Sequence, residues 1–236
     1  MTMKRNVEYR TRVAWCALCL LIAAAGTGFT PNDATLALIM KVIPQVSKKS
    51  ETTEWSKAEK GDPLGTGDRV RTEKNSLAII KFMDRSIVRL REQSEMSIDG
   101  SAVEGKFTKT IKLTRGGFGF EFRKQHDEQF RLTSPTSVAS IRGTKGKLSG
   151  GEGSDTLIVT EGLVTFHNNV SNRDVDVSAG ELGVSNQDGS ISAREATPQE
   201  LADANKLATG GSTNELKLEL KDSQGNKKEL KLRYKQ

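Results

Sequence analysis

Three basic side chains crowded around two glycines are the first residues in this chain that could do chemistry. Residues 137–150 read SVASIRGTKGKLSG, which sets Arg142, Lys145 and Lys147 around Gly143 and Gly146. Such a stretch can cradle a phosphate or another anion. It can equally be a tight turn between two strands. A phosphate loop needs four residues between its first glycine and the Gly-Lys pair, then Ser or Thr at the metal. Here two residues separate the glycines, and Leu148 stands where the hydroxyl belongs. No strong helix signal follows whose N-terminus could receive the phosphate. The pattern argues against nucleotide binding. Arg142, Lys145 and Lys147 stand as a candidate contact for a simpler anion, a glycan or a partner.

The other candidates are sparse. His126 and His167 are the only histidines; both lie among polar, turn-like residues, with no second histidine at metal-ligand spacing. They are read as exposed loop residues. No G-x-S-x-G elbow is present, although a Ser-His-Asp triad need not be contiguous in sequence. Asp62, Asp68 and Asp84 occur singly beside turns. Calcium needs six or more converging oxygens, so these carboxylates are read as turn braces. No metal, cofactor or catalytic residue is expected.

Cys16 and Cys19, the only cysteines, fall inside an N-terminal export signal. Lys4, Arg5, Arg10 and Arg12 precede an apolar run from Val13 to Ala25, which closes on Ala23-Ala24-Ala25. A basic region, a short apolar core and small residues at its end describe a secretory signal peptide. The run is short of the ~20 apolar residues a spanning helix needs. Residues 1–25 are assigned to this signal, so the membrane is met only through it, and the mature chain is expected in the periplasm or outside the cell. That mature chain would have no thiol and no disulfide. The full chain carries 36 Lys+Arg against 30 Asp+Glu; without the signal, which holds four basic residues and one acidic, the net charge is +3. That is a mixed, solvated surface, not a nucleic-acid footprint.

The elements that must position these residues read as β. The chain is 35% hydrophobic, 5% aromatic and has 22 glycines, which suits short strands and many turns. Leu36–Ile43, Leu77–Phe82, Ile87–Leu90 and Met96–Ile98 are short apolar runs separated by polar turns. Phe107–Leu113 alternates apolar and polar residues; beyond Gly116-Gly117, Phe118, Phe120 and Phe122 resume the alternation. A phenylalanine stripe at period two is read as a core face. Four further strands follow, around Val159, Val164, Val175 and Val184. Thr197-Pro198-Gln199-Glu200 then signals a helix start, with Leu201, Ala204, Leu207 and Ala208 as its apolar stripe. Leu216, Leu218 and Leu220 face Leu230, Leu232 and Tyr234 across Asp222–Asn226, the signal of a hairpin with one apolar face.

Three blocks of this sequence together resemble the FecR-type domain of bacterial envelope proteins. The first is Trp55 with Gly61, Leu64, Gly67, Asp68, Val70 and Thr72, running on into Ser76–Phe82. The second is Asp84-x-Ser86-x-Val88-x-Leu90 with Met96-Ser97-Ile98. The third is Ser134–Thr144, followed by Val159–Phe166 and Ala179-Gly180-Glu181. The resemblance implies an all-β domain, a short β-solenoid or a sandwich-like stack, over 34–192. A short helix over 197–209 and a C-terminal hairpin over 212–236 follow. Gly61, Gly67, Asp68, Thr72, Gly143 and Thr144 are then turn residues that build the fold. Arg142 is expected to brace its turn.

The resemblance further implies a non-catalytic domain, exported across the inner membrane, that binds an envelope protein or a cell-wall polymer. A glycan- or anion-sensing domain and an envelope-polymer hydrolase are the alternatives. Two features depart from the family. The first strand leads into Val42-Ile43-Pro44-Gln45-Val46 instead of a Gly-x-Val turn. The family's namesake also places a sigma-factor-binding segment before its membrane span and a signalling module at its end. Twelve residues precede the apolar run here, and the tail is a helix and a hairpin, so that regulatory role is not expected to carry over.

Overall fold

A computed structural model describes residues 35–103, 106–124, 128–141, 143–151, 153–210, 213–221 and 227–235. Residues 1–25, read above as an export signal, lie outside the described residues together with both cysteines, His126 and Arg142. The chain runs through β1 (Ala37–Ile43), β2 (Val46–Lys49), β3 (Ser56–Lys57), β4 (Pro63–Leu64), β5 (Asp68–Thr72) and β6 (Leu77–Phe82). There follow β7 (Ile87–Leu90), β8 (Glu95–Val103), β9 (Lys106–Glu121), β10 (Glu128–Thr133), β11 (Ser137–Ile141) and β12 (Lys145–Gly151). Next come β13 (Ser154–Glu161), β14 (Leu163–Asn168), β15 (Arg173–Ser178), β16 (Glu181–Asn186) and β17 (Ile191–Glu195). Helix α1 (Pro198–Thr209) and the strands β18 (Thr213–Lys221) and β19 (Lys227–Lys235) complete the chain.

The pairings arrange these strands as two layers that share β9. The first layer runs β4-β1-β6-β7-β9-β12-β13-β16-β17. The second runs β3-β2-β5-β8-β9-β10-β11-β14-β15. Among the described residues only the β9–β10 ladder is parallel. Solenoid coils stack through parallel ladders, so the sandwich-like stack is the architecture formed.

β9 differs from the sequence reading, in which Gly116-Gly117 separates two strands. It is one strand of 16 residues. Lys106–Arg115 pairs within the second layer, and Gly116–Glu121 within the first. Gly116 makes the crossing with φ +82°, and a Cβ there would stand 2.7 Å from Ser94 Cα. Only glycine combines that backbone with that approach.

The period-two phenylalanines face the space between the layers. Phe118, Phe120 and Phe122 are buried, as are Phe82 and Phe130. Phe122 stacks on Phe130 with centroids 4.0 Å apart, and Phe130 meets Phe82 edge-on at 5.1 Å. This aromatic run ties the layers together, each ring contributing roughly 1.5–3 kcal/mol by burial. Asp84 braces its turn as expected, accepting from the Ser86 N–H at 2.9 Å, and its other carboxylate oxygen lies 3.1 Å from Lys109 Nζ on β9.

Helix α1 covers the outer face of the first layer. Register places Ile79, Arg89, Gly119, Lys147, Ile158, Leu182 and Arg194 in one row across it. Ala204 packs with Ile158 and Leu182, and Leu201 lies against them. Leu207 backbone passes so close to Gly119 that a Cβ there would stand 2.6 Å from its carbonyl carbon. The helix starts with a capping box, Thr197 with Glu200, and Pro198 opens the first turn. Gly210 ends it in the left-handed conformation.

That start carries a pH signature. Arg194 foremost, then Thr197, hold the Glu200 carboxyl down from 4.5 to about 2. A lowered native pKa favours the helix start fully above the unfolded value, and this support is lost as pH falls through the native one. An NMR titration of Glu200 should therefore show a midpoint near 2, with the 198–201 amides protected until then. A midpoint near 4.5 would contradict the capping geometry.

Candidate functional site

The stretch that opens the sequence question is a strand, a turn and a strand. β11 ends at Ile141, Gly143 turns with φ +69°, and Thr144 is buried at the start of β12. Lys145 and Lys147 share a face of β12. Lys145 Nζ lies 2.7 Å from Glu161 and 3.9 Å from Glu121. The hydrogen bond to Glu161 holds its pKa above the usual lysine range. Lys145 would have to leave Glu161 to meet an outside anion. Lys147 is half-buried. Burial first, then Arg91, weakens its hold on a proton, while Asp203 and Glu200 of the helix region oppose them.

The other turn residues act locally. Gly61 and Gly67 take φ +96° and +82°. The Asp68 carboxylate accepts from the Gly65 N–H at 2.7 Å, and that of Asp62 from Glu59 at 2.8 Å. Thr72 is buried and its hydroxyl bonds the Arg91 and Ser94 carbonyls. His167 is not a loop residue: it lies in β14, with Nδ1 2.7 Å from Asp174 on β15. Among the described residues no group of three His, Cys, Asp or Glu is placed to hold a metal. No helix among them is long and apolar enough to cross a membrane.

Two arrangements were not found from sequence. Asp155 is fully buried and accepts from Ser134, Thr136 and Ser137, locking the corner before β11. On the open face of the second layer, Trp55 is ringed by Arg71, Lys49 and Arg69, at 4.3, 5.7 and 6.0 Å. A cleft of about 680 Å³ adjoins them, lined by both signs of charge, among them Lys49, Arg69, Lys112, Glu51 and Asp99. Opposed charges at this density suit a solvated surface better than an anion trap.

The C-terminal strands form a sheet of their own. β18 and β19 pair with each other and with none of the other seventeen strands. Their register sets Leu216 opposite Leu232 and Leu218 opposite Leu230, so the leucines recur at alternate positions on both strands. β19 carries five basic residues and one acidic residue. Among the described residues each strand has one edge without a partner strand, and such an edge can pair with another chain.

Residues 68–165, from β5 into β14, match the sequence model of the family described as FecR protein. The matched stretch takes in strands of both layers. Two crystal structures of a candidate anti-sigma factor from Parabacteroides distasonis, at 2.50 and 1.65 Å resolution, are similar to it. Identity is 12% in both, with TM-scores of 0.49 and 0.48. The matches cover 63% and 66% of this chain, and 66% and 70% of those chains. The chain thus spans about two thirds of their length. No curated protein matches it.

Proposed function

We propose that this chain is a non-catalytic, exported module of the cell envelope, and that its C-terminal hairpin captures a protein or cell-wall partner. The FecR-type domain supplies the envelope context and acts as a rigid two-layer scaffold. The observation that carries the reading is the separate two-stranded sheet at the C-terminus. An isolated hairpin is marginal in water, because two strands bury too little surface to hold their own register. A partner strand added to its edge supplies the missing ladder, and the alternating leucines supply an apolar face. The basic excess of β19 favours an acidic strand.

Cross-linking pull-downs from intact envelopes test this reading. The full chain should retain a discrete partner, and a chain lacking residues 212–236 should lose it while its β-domain keeps its unfolding transition. Undiminished capture by the shortened chain would remove the hairpin from the account.

A further inference from the structure

The outer face of the first layer holds a buried cation that borders open space. Arg89 lies mid-strand in β7, only 8% exposed, beneath the last turn of α1. Its Nη1 donates to the Ala208 carbonyl, which sets the charge at the negative end of the helix. The opposite edge of the guanidinium, formed by Nε and Nη2, makes no hydrogen bond among the described residues, and Nε is buried. That edge faces Gly210. A Cβ at Gly210 would stand 3.1 Å from Nε and 3.5 Å from Nη2, so the missing side chain leaves the space in front of both donors. A cavity of about 290 Å³ adjoins it, lined by Leu77, Arg89, Asp203, Lys206, Leu207 and Gly210.

We propose that this cavity is a binding site for a carboxylate carried on a short aliphatic group. The Nε–Nη2 edge presents two parallel N–H donors, the fork that binds both oxygens of a carboxylate. Nε is one of these donors and has no acceptor among the described residues, so a carboxylate supplies the bond that burial otherwise denies it. Leu77 and Leu207 accept the aliphatic group, and Lys206 adds a second positive charge at the wall. Asp203 sets the selectivity: its carboxylate in the same wall repels a second acid group, so monocarboxylates are favoured over diacids. The volume lies at the lower end for ligand pockets, which limits the guest to a few carbons or to the last residue of a peptide. This inference does not depend on the partner reading.

The test is an NMR titration of the full chain with butyrate, N-acetylalanine and, as the neutral control, butanamide. The Gly210 amide and the Arg89 Nε–H should shift saturably with the two carboxylates and not with butanamide. Leu77→Trp, which fills the cavity without touching the bond from Arg89 to Ala208, should weaken binding about tenfold or more. Arg89→Lys keeps the charge but removes the fork, and should weaken it similarly. A peptide C-terminus is the natural guest if N-acetylalanine saturates at the lower concentration, and a small free acid if butyrate does. Absent saturation, equal shifts with butanamide, or full binding by Leu77→Trp would each overturn the site.

Discussion

Asp155→Ala is expected to lower the unfolding free energy by about 3–5 kcal/mol, through loss of a buried charged acceptor. Its Oδ2 accepts from Ser134 Oγ at 2.6 Å, the Thr136 N–H at 2.8 Å and Ser137 Oγ at 3.1 Å, and also from the Thr136 hydroxyl. All of these residues are buried. Removing the carboxylate takes the acceptor from the buried Thr136 N–H and the Ser137 hydroxyl, and leaves the Ser134 and Thr136 hydroxyls only the carbonyls of Ser137 and Ser185. The neighbouring strand makes room for the group, since a Cβ at Gly150 would stand 2.5 Å from Oδ1. For a unit of this size the melting temperature should fall by roughly 10 °C or more. Asp155→Asn, which keeps one acceptor oxygen, should fall less far. A change of under about 1 kcal/mol for the alanine variant would show that the corner is held otherwise.

Gly119→Val should detach α1 from the first layer while the sandwich stays folded. The Leu207 carbonyl carbon, the Ala208 nitrogen and the Leu207 oxygen would lie 2.6 to 2.7 Å from any Cβ at residue 119. These are backbone atoms, so no rotamer change relieves the clash and the helix itself must move. Overpacking of this kind costs roughly 1–3 kcal/mol. Few apolar contacts hold α1, chiefly through Ala204, Ala208 and Leu201. Hydrogen exchange should show protection lost over 200–209 and kept over β9 and β12. Protection kept in α1 would contradict this packing.

These two sites mark the limit of what the sequence discloses. The strands were legible because their partners impose period two, as in Phe118–Phe122. The helix was legible because Thr197, Pro198 and Glu200 signal its start within four residues. The turns at Gly67 and Gly143 announced themselves through glycine. By contrast, Arg89 finds its acceptor 119 residues away, and Asp155 finds its donors 18 to 21 residues upstream. No local pattern encodes such pairs. Gly116-Gly117 misled for a related reason: a strand that bends between two layers uses the same residue as a strand that ends. Lys145 could be named as a candidate cation, but Glu161 and Glu121 come beside it only when β13 and β9 flank β12.

The scaffold and the hairpin thus divide the chain. The two layers share β9 and α1 covers the first, and among the described residues β18 and β19 each have an edge with no partner strand. The most direct measurement is hydrogen exchange on the complex captured from envelopes, comparing the hairpin amides free and bound. The account predicts new protection along one outer edge of β18 or β19, with the exchange of β5 to β14 unchanged. Protection falling on the two-layer domain, with the hairpin amides still exchanging as in the free protein, would contradict it.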